Sequence, residues 1–113
     1  METIFDKILS GEIDSEFVYE DDHVVAFKDI NPQAPVHVLV VPRNKFESVA
    51  EAKEMDPAVL GGFFQGISHC AAKLGLEEGG YRVVLNTGKD ALQSVQYVHA
   101  HILGGRKLGW PPG

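Results

Sequence analysis

Two histidines, His99 and His101, stand one residue apart in QSVQYVHAHILGG, residues 93–105. Imidazole has an ordinary pKa of about 6.5, so near neutral pH it serves as nucleophile, proton carrier or metal ligand. Val95, Tyr97, Val98, Ile102 and Leu103 around them favour a strand, whose side chains alternate between faces. Tyr97, His99 and His101 are therefore expected on one face, which is either wet surface or a site. A zinc site there needs three or four ligands, with His37, His69 and several acids as possible recruits. Nucleophilic or acid–base chemistry is the other use of the pair. Gln93 and Ser94 before the histidines, and Gly104 and Gly105 after them, border that face with polar groups and flexible backbone.

The elements that must position these residues follow from pattern. In TIFDKILSGE, Thr3 is a helix cap, Ile4, Phe5 and Ile8 form an apolar stripe, and Gly11 ends the turn. FVYE and HVVAFKD flank Asp21 and Asp22 as a hairpin, and HVLVVP from His37 to Pro42 reads as a further strand after the turn INPQAP. The clearest helix runs from Asp56 to Leu74, with Asp56 as cap, Pro57 in the first turn, and Leu60, Phe63, Phe64, Ile67, Ala71 and Leu74 on its apolar face. Gly61 and Gly62 weaken that helix by about 1 kcal/mol each relative to Ala unless something packs close. His69 falls opposite the stripe and reads as solvated, while Cys70 reads as core. YRVVLN is a strand, TGKDAL a loop, and QSVQYVHAHIL the last strand. Helices and strands in this order predict an α+β domain on a mostly antiparallel sheet.

The 113 residues suit one domain, and 44% apolar with 23% charged residues is an ordinary globular balance. A formal charge of −6 with scattered Lys and Arg opposes binding of a nucleic-acid polymer. A single phosphate remains compatible, because backbone amides and a few neutral donors suffice for it. The single cysteine excludes an internal disulfide framework. METIFDKILSGE lacks a basic region before an apolar run, so it does not read as a signal peptide, and no apolar stretch reaches the roughly 20 residues of a membrane helix. A cytoplasmic protein with no membrane partner is the expectation. There is no P-loop, CxxC, G-x-S-x-G or Rossmann fingerprint.

Long ordered blocks, TIFDKILSGEI, YEDDHVVAFKDINPQAPVHVLVVP, GYRVVLNTG, QSVQYVHAHILGGR and WPPG, make the chain similar to the histidine triad (HIT) superfamily, in its Hint branch of nucleotide-binding phosphoramidases. The resemblance implies a single HIT domain over residues 1–113 with a tail at 106–113. It implies a five-stranded sheet with one long and one short helix, and sheets joined across a homodimer. The implied activity is cleavage of the P–N bond in purine nucleoside 5′-phosphoramidates through a nucleotidyl-histidine, without metal or other cofactor. The implied partners are these phosphoramidates and purine nucleoside monophosphates.

Carried over position by position, the resemblance makes His99 the nucleophile and His101 the contact to phosphate and leaving group. His37 supports the pair from the adjacent strand, and Ser94 meets phosphoryl charge. Ile4, Phe5, Ile8, Phe27 and Ile30 match residues that enclose the base, Asp29 the acid on the ribose hydroxyls, and Asn86, Gln93, Ser94 and Val95 the surroundings of the phosphate. Trp110 matches a tail residue near the partner chain's site. Two departures stand out: Tyr97 replaces the first histidine of the triad, and Ala91–Leu92 replaces a glycine pair. A nucleotide-binding or interaction module with weakened catalysis is the rival reading, and a metalloprotein using His99 and His101 a third.

Overall fold

The computed structural model describes residues 1–113. Thr3 opens the first helix, α1 (Ile4–Ser10), by a reciprocal cap. Its hydroxyl accepts from the amides of Phe5 and Asp6, each at 3.2 Å, and the Asp6 carboxylate accepts from the Thr3 amide at 2.6 Å. Gly11, at φ +85°, ends it in the left-handed conformation that glycine adopts without strain. The strands β1 (Phe17–Glu20) and β2 (Val24–Lys28) form the expected hairpin. Asp21 closes it by accepting from the amides of His23 (2.7 Å) and Val24 (2.8 Å).

The strand β3 (Val36–Pro42) follows, then a 3-10 segment (Val49–Glu54), the long helix α2 (Pro57–Lys73), and the strands β4 (Tyr81–Val84) and β5 (Ala100–Gly104). All five strands pair antiparallel in the order β1-β2-β3-β5-β4, the α+β arrangement expected. The strands β2 and β3 are buried on both faces, which explains their near-continuous apolar runs. Val24, Ala26, Val38, Val40, Ala100 and Ile102 point toward α2, packing with Phe63, Ile67 and Cys70. The alternate residues Val25, Phe27, Leu39 and Val41 point toward α1, packing with Phe5, Ile8 and Tyr97. Cys70 is core, as expected. No helix is long and apolar enough to cross a membrane.

Three readings need correction. The buried arc of α2 is rotated toward its glycines: Gly62, Phe63, Gly66, Ile67, Cys70 and Ala71 are buried, whereas Phe64 is 73% exposed. A Cβ on Gly66 would lie 2.6 Å from Val24 methyl carbons, and one on Gly62 would lie 2.4 Å from the His23 ring, so glycine is what lets α2 approach β2. The last strand starts at Ala100 rather than Gln93, because the backbone amides of Gln93 and Val98 donate to the loop carbonyls of Gly88 and Phe46 instead of to a neighbouring strand. Gly104 and Gly105 serve packing: a Cβ on either would lie 2.9 Å from Leu76 or Pro35, respectively.

Candidate active site

The register of β3 on β5 sets Leu39 opposite His101 and His37 opposite Leu103. His37 therefore reaches diagonally across the sheet, and its Nε2 lies 2.9 Å from His101 Nδ1. Its other nitrogen, Nδ1, accepts from the Gln33 amide at 3.0 Å. Asp29 stands beside this pair, with Oδ2 3.4 Å from His37 Nε2 and Oδ1 accepting from the Asn31 amide at 2.8 Å.

His99 is buried and held differently. Its Nδ1 lies 2.7 Å from the carbonyl oxygen of Tyr97. A carbonyl only accepts, so Nδ1 carries the proton, and the neutral ring keeps its lone pair on Nε2. Phe5 meets the His99 ring edge-on at 5.0 Å between centroids, and the His99 and His101 rings are 5.2 Å apart. Burial, followed by the neighbouring His99 and His37, pushes the His101 pKa down to about 4, so the ring is neutral at pH 7.

Both imidazoles open into a cavity of about 390 Å³ between α1 and the sheet. Of the residues expected at a site, it is lined by Ile4, Phe5, Ile8, Phe27, Asp29, Ile30, Ser94, Val95, His99 and His101. This size and mostly apolar wall, with a few convergent polar groups, suit a small-molecule site. Ile30 is fully exposed at its rim. Ile13, Asp14, Ser15, Lys28 and Leu39 complete the lining without having been singled out from sequence. Leu39 was accessible to that reasoning, since period-two alternation on β3 puts it on the face of His37.

His37 touches the site through His101 rather than lining the cavity. Asn86 and Gln93 stand outside the lining, their side chains bonded to backbone. Asn86 Nδ2 donates to Ala91 O at 2.7 Å. Gln93 donates to Glu47 O (2.7 Å) and Val95 O (3.0 Å) and accepts from the Gly88 amide (2.9 Å). Trp110 is 80% exposed and does not line this chain's own cavity, and the Arg82 guanidinium lies over its ring, 5.9 Å from the centroid. Asp29, His37 and His101 offer three possible metal-ligand atoms within 4.8 Å of one another. That trio differs from the His99–His101 pair first considered, since it includes Asp29 and His37 and leaves out His99.

The HIT domain pattern matches residues 10–108. The chain belongs to the HIT family. It is 50% identical over 113 residues to the 14 kDa zinc-binding protein of Zea mays, spanning 98% of this chain and 88% of that protein. Adenylylsulfatase HINT1 of Arabidopsis thaliana is 46% identical over 113 residues, spanning 98% and 76%. The crystal structure of a HIT family hydrolase from Legionella pneumophila Philadelphia 1 superposes with a TM-score of 0.92 at 38% identity, covering 99% of this chain and all of that one. This HIT protein thus shares its five-stranded sheet and flanking helices with a family hydrolase over its whole length.

Proposed function

We propose that this HIT protein is a hydrolase of purine nucleoside 5′-phosphoramidates. His99 Nε2 attacks phosphorus, an N–P bond forms, the P–N bond to the amine breaks, and the amine leaves after gaining a proton from solvent while His101 hydrogen-bonds to it. Water then attacks the nucleotidyl-histidine, releasing the nucleoside monophosphate and restoring the neutral ring. One observation carries this reading: the Tyr97 carbonyl holds a proton of His99 on Nδ1, which leaves Nε2 of this buried ring as the nitrogen available for attack in a cavity it shares with His101. Ile4, Phe5, Ile8, Phe27 and Ile30 provide apolar surface for a base, Asp29 an acceptor for ribose hydroxyls, and Ser94 and His101 donors for phosphoryl oxygens. The family relatives named as a hydrolase and an adenylylsulfatase support hydrolytic chemistry on a nucleotide.

The same reading includes a two-fold homodimer. The strand β4 pairs with β5 alone, so its other edge is free to join a sheet, and Phe64, Val49 and Leu85 expose apolar surface around a small cleft between α2 and that region. Trp110, held over Arg82 on β4, would then lie toward the partner.

A weakened nucleotide-binding module is favoured by one observation, the complete burial of the Tyr97 side chain with its hydroxyl committed to Pro42 O, which leaves no proton carrier at that triad position. Mass spectrometry of protein quenched during turnover of an AMP–amine phosphoramidate separates the two. A nucleotide adduct on the peptide holding His99 supports the hydrolase. Tight AMP binding with neither adduct nor amine release supports the module.

A further inference from the structure

The turn at residues 31–35 is clamped to the exit of β5 at two points. Arg106 Nη2 donates to the Gln33 carbonyl at 3.0 Å. Gly105, at φ +88°, leaves room for Pro35, whose Cβ would lie 2.9 Å from any Cβ at that position. The segment thus held presents the Gln33 amide to His37 Nδ1 at 3.0 Å.

The proton positions along this chain are determined by donor and acceptor capacity. A ring nitrogen that accepts an amide N–H carries no proton, so His37 has its proton on Nε2. His37 Nε2 then donates to His101 Nδ1, 2.9 Å away, with Asp29 Oδ2 at 3.4 Å as a second, longer acceptor. A neutral His101 whose Nδ1 accepts must carry its proton on Nε2. The two cavity imidazoles therefore have opposite tautomers: His99 offers a lone pair at Nε2, and His101 offers an N–H at Nε2.

We propose that Arg106 is a positioning residue. Through the Gln33 carbonyl it keeps the Gln33 amide on His37, and so holds His101 in the tautomer that donates from Nε2 toward the leaving group. Its guanidinium lies outside the cavity and acts only through this relay. The tautomer assignment is independent of substrate. The claim about the leaving group rests on the phosphoramidase reading.

The test uses full-length protein labelled with nitrogen-15 and long-range proton–nitrogen spectra, which distinguish protonated from lone-pair ring nitrogens. In the wild type, His37 and His101 should both show protonated Nε2, and His99 protonated Nδ1. In Arg106→Ala, which removes an exposed side chain, His101 should become a mixture of tautomers while His99 is unchanged, and Arg106→Lys should recover part of the wild-type pattern. In kinetics, Arg106→Ala should lower kcat/KM about tenfold more for a basic alkylamine leaving group than for a weakly basic arylamine, since orienting partners of an active imidazole are typically worth about 10–100-fold. His101 protonated on Nδ1 in the wild type, or spectra of His37 and His101 unaltered by Arg106→Ala, would overturn the proposal. A wild type that never cleaves phosphoramidate would overturn the functional reading alone, because the spectra decide the relay without turnover.

Discussion

The hydroxyl of Tyr97 donates to the carbonyl oxygen of Pro42 at 2.5 Å, while the carbonyl oxygen of the same Tyr97 accepts from His99. Its side chain joins α1 to the end of β3, and its backbone aims the candidate nucleophile. Phe5 packs edge-on against its ring at 6.2 Å, and burial pushes the phenol pKa up to about 12, so it stays protonated.

Restoring histidine at this position should change kcat/KM by about tenfold or less, because the orienting carbonyl is backbone and survives the change. Tyr97→Phe should cost about 1 kcal/mol of stability by leaving Pro42 O without its partner, with kcat little altered. Steady-state kinetics and urea unfolding measure the two effects. A gain above a thousandfold in Tyr97→His would mean that the natural protein is catalytically impaired, favouring the binding-module reading.

His99→Asn should abolish turnover, by about 10⁴ or more, and leave AMP binding within a few-fold of wild type. The amide side chain approximates the bulk of the ring but cannot form the nucleotidyl bond. Calorimetric titration with AMP and a coupled assay for amine release provide the comparison. Retention of a tenth of the activity would rule out covalent catalysis at this residue.

Stability should fall with acidification through His101. In the folded chain its pKa is pushed down to about 4 from an ordinary 6.5, first by burial and then by the adjacent imidazoles. Between those values the unfolded chain binds the extra proton, so the contribution of the neutral ring is complete above about pH 6.5 and is lost as pH falls toward 4. Chemical unfolding of wild type and His101→Gln at pH 7.5, 5.5 and 4.5 should give a shallower acid decline for the variant. Equal slopes would falsify this account.

Chelators should leave turnover unchanged, and purified protein should hold well under one zinc per chain. Zinc bound by Asp29, His37 and His101 would have to replace the 2.9 Å contact between the two imidazoles and remove His101 Nδ1 from the relay. Added zinc is therefore expected to inhibit. Stoichiometric metal whose removal abolishes activity would instead establish a metal-dependent enzyme.

Removing residues 110–113 should preserve the fold, because Trp110 is exposed and its neighbours contribute nothing to either core. The proposed role beside a partner's cavity predicts an altered preference among leaving amines. Light scattering checks assembly, and a substrate panel checks preference. Unaltered kinetics across the panel would confine the tail to its contact with Arg82.

Much of the candidate site was legible because it rests on local rules. Period-two alternation put Tyr97, His99 and His101 on one face, and they share it even though regular strand begins only at Ala100. Thr3, Gly11 and Asp56 marked helix ends through hydrogen bonds within three residues of themselves. The buried face of α2 departs from the apolar stripe because glycine adds nothing to such a stripe, yet Gly66 lies against Val24 and Gly62 against His23 too closely for a methyl group. Gln93 resembled a ligand group by type, but its amide joins backbone atoms from residues 47, 88 and 95, a junction that no short window contains.

By itself, the sequence determined the histidine face, the antiparallel α+β plan and the family, since these depend on side-chain type and spacing along one chain. Only the tertiary structure decided where the ring protons sit, on Nδ1 of His99 and on Nε2 of His37 and His101. His37 and His101 are 64 residues apart, and they meet because β5 pairs antiparallel with β3 in a single register. A shift of one residue would turn His37 or His101 to the opposite face and break the bond that assigns their protons.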